Sequence, residues 1–441
     1  MSDGRSVDSM DSIYALSSGA VPCGVCVIRI SGPEAGAALS ALCTEAPEPR
    51  RATLRTLRRP GDGAVLDRGV VLWFPAPASA TGEDMAELQV HGSRAVVQAL
   101  FGVLGDAGLR LAAPGAFARR AFVNGKLDLT AVEGLADLIA AETEVQLRQA
   151  IGQAEGVLGG AAECWREALV GLRAALEARL DFADEDDVPD ALPDDFSARL
   201  EGLRDEMRAA LDGAASGERV REGFRIALLG RPNAGKSSLL NALSRRDVAI
   251  VTDEAGTTRD VLEVPLDIGG YPVIAFDTAG LRAAHSAAET EGVRRARQAA
   301  ENADLVLWLE DCTQPPESPP EIEAADVWRV ATKTDLAQRP VDGPAISVVT
   351  GDGLDALVAG IGEAAAKAMG GGSGGSALVA RQRQAEAIRE ALQALDAAAD
   401  TSDEIAADLL RNASDAIGRL SGRIGVEDVL DRLFGEFCIG K

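Results

Sequence analysis

Lysine is nearly missing from this chain. It occurs at five positions (126, 236, 333, 367 and 441), and every other member of the 44 basic residues is arginine. Arginine serves almost everywhere a generic positive charge would do, so a lysine is a candidate for a place where a compact ammonium on a flexible stem serves chemistry. Histidine is scarcer still, with only His91 and His285, and aromatic residues make up 4%. Cysteines are few and scattered, at 23, 26, 43, 164, 312 and 438. That distribution excludes a secreted disulfide framework and leaves a tetrahedral zinc site short of ligands. Cys23 and Cys26 do form a C-x-x-C, which reads as a redox pair or as half a zinc site. No apolar run reaches the length of a membrane span, and the first twelve residues lack the charged-then-apolar order of a secretion signal. The expectation is a soluble cytoplasmic protein with no membrane partner.

Net positive charge is also lacking. Sixty-nine acidic residues give a formal charge of −25, which argues against bulk attraction to nucleic acid. Two local basic groups remain, Arg50, Arg51, Arg55, Arg58 and Arg59, and Arg119 with Arg120. Each alone reads as solvated surface. Hydrophobic residues at 46% suffice for packed cores, and 441 residues allow two to four domains.

The texture of the chain changes along its length. Residues 11–123 mix short strands (Val25–Ile30, Val70–Phe74) with a helix near 95–104, as in an α+β domain. From Leu129 to about Ala215 alanine, leucine, glutamate and arginine recur at helical spacing, interrupted by the acidic stretch 181–195. Between Phe224 and Ile361, FRIALLG, YPVIAFD, DLVLWLE, VWRVAT and AISVV read as strands separated by helices. That order predicts a mostly parallel sheet covered on both faces. GGGSGGS at 370–376 is a flexible linker, and Leu378–Phe437 is helical again. The fold class expected is multidomain, α+β and α/β. An N-terminal domain spans 1–125, and a helical bundle spans 126–220 and 377–441. A P-loop domain of the Ras-like kind, 221–370, is inserted into the bundle.

The inserted domain carries the chemistry. GRPNAGKS at Gly230–Ser237 satisfies G-x-x-x-x-G-K-[ST] between a strand and a helix. Backbone N–H groups of Asn233, Ala234, Gly235, Lys236, Ser237 and Ser238 can close around phosphate oxygens at a helix N-terminus. Lys236 would reach the β and γ phosphates, and Ser237 would ligate Mg²⁺. Asp277-Thr278-Ala279-Gly280 ends a strand, where an acid can hold the metal and an N–H can meet the γ-phosphate. Gly256-Thr257-Thr258 lies between the two motifs, and Thr258 would complete the Mg²⁺ shell. Thr332-Lys333-Thr334-Asp335 follows VWRVA. The Asp335 carboxylate can accept two N–H bonds from guanine, which adenine cannot offer, so GTP is expected rather than ATP. Thr332 stands where asparagine is usual. Ser347-Val348-Val349 replaces a Ser-Ala-Lys, keeping Ser347 and its backbone for the base.

Taken together, GRPNAGKSSLLNAL, IVTDEAGTTRD, DTAGLR and the terminal FCIGK resemble the MnmE/TrmE family of GTPases. So do RISGP at 29–33, TGEDMAELQVHG at 81–92 and NGKLDLTAVEGLADLI at 124–139. The resemblance covers nearly the whole chain, and FCIGK is its most specific part. It implies GTP hydrolysis coupled to an FAD-dependent partner protein in a heterotetramer. The two would install a carboxymethylaminomethyl group at C5 of the wobble uridine of certain tRNAs. The carbon would come from 5-formyl- or 5,10-methylene-tetrahydrofolate, and the chain would be a homodimer through its N-terminal domain.

The resemblance also implies residue roles. Asn233 would ligate K⁺, with Thr252, Glu254 and Thr257 in the loop Thr252-Asp253-Glu254-Ala255-Gly256-Thr257 completing the shell. Glu289 would orient the attacking water, with Lys236 assisting catalysis. Arg29, Glu87, Lys126 and Lys441 would hold the folate, and Cys438 matches a cysteine suspected of a direct role. The stretch SGAVPCGVCV departs from the glycine- and arginine-rich loop usual before Arg29. Two other readings remain open at this point, a switch GTPase in ribosome assembly and a paralogue that binds GTP without working.

Overall fold

The computed structural model describes residues 11–45, 47–181, 192–246, 248, 250, 262–277, 303–315, 326–337, 343–371, 377–399, 401–424, 427–437 and 440. The chain divides into two compact units. One joins Met1–Ala136 to Gly159–Glu163 and Gly418–Lys441; the other joins Asp137–Leu158 to Cys164–Ile417.

The first unit is built on a six-stranded sheet. Its strands are β1 (Ile13–Leu16), β2 (Cys23–Ser31), β3 (Thr53–Arg58), β4 (Val65–Phe74), β5 (Met85–Gly92) and β6 (Arg110–Leu111), in the order β3-β4-β5-β2-β1-β6. All pairs are antiparallel except β1 with β6. Alternation decides which face is buried. Ile28 and Ile30 on β2, opposite Leu88 and Ala86 on β5, point into a core closed by Leu100 and Leu104. Those two leucines lie on the helix Arg94–Asp106, whose N-cap Ser93 accepts a hydrogen bond from Val96 N at 3.2 Å. Each fully buried leucine contributes about 1.5–3 kcal/mol.

The C-terminal helix Glu427–Glu436 belongs to this unit rather than to the bundle. Leu433, Phe434 and Phe437 pack with Ala118, Leu129 and Val132. Gly440 then sits at the end of β1, where Ser17 Oγ donates to its carbonyl at 2.7 Å.

The second unit holds the inserted sheet. Its strands are β7 (Phe224–Gly230), β8 (Leu262–Ile268), β9 (Tyr271–Asp277), β10 (Leu305–Asp311) and β11 (Asp326–Thr332), in the order β11-β10-β7-β9-β8. Strands β11, β10, β7 and β9 run parallel; β8 is the antiparallel edge. Pro265 lies on that edge, where a missing N–H costs no ladder bond. The helices Lys236–Ser244 and Leu354–Ala368 bury Leu239, Leu240, Leu243, Leu357 and Ile361 against the sheet.

Helices from before and after this sheet meet in the same unit. Gln153 Nε2 donates to Leu378 O at 2.8 Å, and Arg204 Nε donates to Asp396 at 2.7 Å. Arg381 pairs with Asp137 at 2.6 Å. The sheet is therefore an insertion between helical segments that close on each other. Among the described residues, no helix is long and apolar enough to cross a membrane.

One strand expectation is corrected. AISVV forms only an isolated bridge, Ala331 to Ala345, before the chain turns. Gly351 N bonds to Ser347 O at 2.9 Å, and Thr350 N bonds to Ser347 Oγ at 3.2 Å. The turn holds Ser347 at the site instead of extending the sheet.

Candidate nucleotide site

The loop between β7 and the helix Lys236–Ser244 winds through three left-handed positions, Gly230 (φ 139°), Asn233 (φ 65°) and Gly235 (φ 101°). At Gly230 a side chain would strike the carbonyl oxygen of Leu309 on β10, so only glycine fits. Lys236 is 8% exposed, and its Nζ donates to Gly230 O at 2.8 Å and Arg231 O at 2.9 Å. The ammonium is thus held against the loop's own carbonyls, where entering phosphates would meet it. Ala234 is buried, while Asn233, Ser237 and Ser238 are exposed. This backbone cradle, with a fixed cation and a hydroxyl in the first helical turn, fits a nucleoside triphosphate with its metal.

The segment Thr332–Asp335 is tied to that loop by a side chain. Thr332, 2% exposed, donates through Oγ1 to Ala234 O at 2.7 Å, with Glu310 O at 3.3 Å. The hydroxyl standing in place of asparagine therefore joins the end of β11 to the phosphate loop. Beyond it, Lys333 adopts a left-handed backbone (φ 60°), and its Nζ meets Asp311 Oδ2 at 2.6 Å. Ser347 Oγ donates to Asp335 Oδ1 at 2.6 Å, which fixes the orientation of the carboxylate. Thr332, Lys333, Asp335 and Ser347 are thus brought together beside the phosphate loop.

Asp311, Cys312 and Thr313 escaped the sequence reading. Burial by itself raises the Asp311 carboxyl, but hydrogen bonds from Lys333 and Thr313 outweigh it and hold the group below the usual carboxylate range. Cys312 Sγ donates to Lys333 O at 3.0 Å, and burial, Asp311 and Asp335 push its thiol up. The available signal was an acid at the carboxyl end of a central parallel strand, where α/β sheets bind ligands. Asn233 and Asp311 line one open cavity of about 290 Å³. Asp277 ends β9, opposite Leu228 on β7. Thr252, Asp253, Glu254, Ala255, Gly256, Thr257, Thr258, Thr278, Ala279, Gly280, Glu289, Cys438 and Lys441 lie outside the described residues.

In the first unit Arg29 and Glu87 face each other across β2 and β5 and pair at 2.8 Å. The Arg29 guanidinium stands 5.8 Å from the Phe117 ring centre. Lys126 is exposed beside Gly82. Register sets Ala15 opposite Arg29, and Gly440 packs against the next residue, Leu16. Gly440 therefore lies against β1, the strand that pairs with the one carrying Arg29.

Arg120 is corrected from solvated surface to buried anchor. It is 8% exposed and bonds to Asp11 Oδ1 at 2.9 Å and Glu83 Oε2 at 2.7 Å. Of the other arginine group, Arg51 pairs with Glu48, Arg55 with Glu45 and Arg59 with Asp62, all at the surface.

Comparison with known proteins decides the family. The model described as "MnmE helical domain" matches residues 129–438, and "GTP-binding protein TrmE N-terminus" matches residues 12–126. This chain belongs to the MnmE family. It is 51% identical over 439 residues to a tRNA modification GTPase MnmE of Methylorubrum populi, covering 98% of each chain. The MnmE protein of Bradyrhizobium sp. is 48% identical over 446 residues, covering 98% of this chain and 99% of its own. Among solved structures, Aquifex aeolicus Era bound to GDP·AlF4⁻ is 27% identical over 32% of this chain and 56% of its own, at a TM-score of 0.25. That likeness is too slight to carry a conclusion. The two family models meet between residues 126 and 129, at the start of the helix Leu129–Ala140.

Proposed function

We propose that this GTPase modifies tRNA. With an FAD-dependent partner protein in a heterotetramer, it adds a carboxymethylaminomethyl group at C5 of the wobble uridine, using a tetrahydrofolate one-carbon unit. The observation that carries this reading is the end-to-end match to proteins named tRNA modification GTPases, in a chain whose phosphate loop and base-reading segment are joined through Thr332 and Ala234.

The chain's own groups divide the work. Amides of Asn233 to Ser238 orient the triphosphate, and Lys236 offsets charge on its β and γ oxygens. Asp335, steadied by Ser347, selects guanine. Ser237 and Thr258 would hold Mg²⁺, which would supply further charge neutralisation when bound. Asn233, with Thr252, Glu254 and Thr257, would hold K⁺, which would supply positive charge to the transferring phosphoryl group. Glu289 orients the attacking water. Arg29, Lys126 and Lys441 would hold the carboxylates of a folate tail, and Glu87 would accept N–H bonds from the pterin. The Arg29–Glu87 pair supports a site where a cation and an acid already stand together. The chain acts as a cytoplasmic homodimer through its N-terminal domain.

Nucleoside analysis of wobble uridines in cells lacking the protein tests the reading. Loss of the C5 group is expected. Unchanged modification would overturn it in favour of a switch role in ribosome assembly.

A further inference from the structure

We propose that Cys23 and Cys26 form a reversible dithiol–disulfide pair, oxidised by hydroperoxides, in the bulge at the start of β2. Regular strands place residues i and i+3 on opposite faces. Here the register shifts, so that Cys23 stands opposite Gly92 and Cys26 opposite Val90. Three residue steps on β2 match two on β5, which returns both cysteines to one face. Two steps along a strand span about 6.8 Å, at the upper end of the Cα separation of about 4.4–6.8 Å that a disulfide bridges.

The neighbours leave room for the bond. A side chain on Gly92 would collide with Cys23 Sγ, so the glycine opens the place the sulfur occupies. Cys23 is exposed and Cys26 is buried. Cys23 Sγ donates to Val25 O at 3.2 Å and Cys26 Sγ to His91 O at 3.9 Å, and burial first, then Cys23 and Asp67, push the Cys26 thiol up. Asp67 is itself turned to His91 at 2.8 Å. Among the described residues no group of three or more His, Cys, Asp or Glu is placed to hold a metal.

The chemistry balances with a hydroperoxide as oxidant. Cys23 sulfur attacks the peroxide; the O–O bond breaks, a sulfenic acid forms and the alcohol or water leaves with the thiol proton. Cys26 sulfur then attacks Cys23; the S–O bond breaks and water leaves with the second proton. Two thiols lose two electrons and the peroxide gains two. A cytosolic dithiol returns the pair to its reduced form by exchange. Closure pins β2 three residues ahead of Arg29.

The test uses the full chain, hydrogen peroxide as probe, N-ethylmaleimide added under denaturing conditions, and tryptic mapping. Residues 6–29 fall in one peptide holding both thiols. The expected result is a peptide about 2 Da lighter than its reduced form, without maleimide, and restored to double labelling by dithiothreitol. Cys164, an exposed thiol, serves as the unpaired reference, and Cys43, pushed up to about 11 chiefly by burial, as the inert one. In Cys26→Ser the Cys23 sulfenic acid persists and is trapped by dimedone. Two maleimide labels after peroxide, or Cys23 oxidised irreversibly while Cys26 stays free, would overturn the proposal.

Discussion

Thr332 Oγ1 donates to the carbonyl oxygen of Ala234 across 2.7 Å, tying the segment Thr332–Asp335 to the loop Gly230–Ser237. Thr332→Val keeps the shape and removes the donor, leaving a buried carbonyl unmet. We expect a loss of about 1–2 kcal/mol in stability and roughly tenfold weaker GTP binding. Urea unfolding and nucleotide titration measure both. A variant equal to wild type in both would show the bond to be incidental.

Arg120 anchors the first unit. Arg120→Leu leaves Glu83, which accepts its 2.7 Å bond, without its guanidinium. The expected cost is about 3–5 kcal/mol, read as a lower Tm for the N-terminal sheet. Arg120→Lys, which keeps charge but loses the fork, should fall between.

Asp311 gives a pH signature. Its folded-state acidity lies below the ordinary value of 3.8, because the Lys333 and Thr313 bonds outweigh burial. A depressed carboxyl stabilises the fold above its unfolded value, and the contribution is lost as pH falls through the folded one. Wild type should therefore exceed Asp311→Asn in stability at pH 7, and the gap should shrink as pH falls below about 4. A gap constant from pH 7 to pH 3 in denaturant titrations would contradict this.

Replacing K⁺ by Na⁺ at equal ionic strength should lower kcat for GTP by at least about tenfold. Glu289→Ala should lower it about a hundredfold with nucleotide affinity unchanged. Steady-state phosphate release measures both. Equal rates with the two cations would remove the potassium role, and full turnover in the variant would remove that of Glu289.

Much of the site was legible because its residues are local. Gly230 to Ser237 form one short string whose spacing encodes the loop, and Thr332 to Asp335 form another. What escaped was pairing at long range. The Lys333–Asp311 bond depends on β10 and β11 lying side by side, and Arg120 finds Asp11 and Glu83 from distant parts of the chain. An adjacent pair of arginines looks like surface until those partners are known. AISVV has the composition of a strand, yet Ser347 is turned out to hold Asp335. The C-terminal helix has helical periodicity like the bundle's, and only contact with Ala118 and Leu129 assigns it to the first unit.

The most direct measurement is fluorescence titration of the purified chain with a labelled GTP analogue and Mg²⁺, followed by competition. Saturable binding is expected, displaced by GTP but not by equal ATP, and abolished in Lys236→Ala. An absence of measurable affinity in wild type, or equal displacement by ATP, would contradict the account.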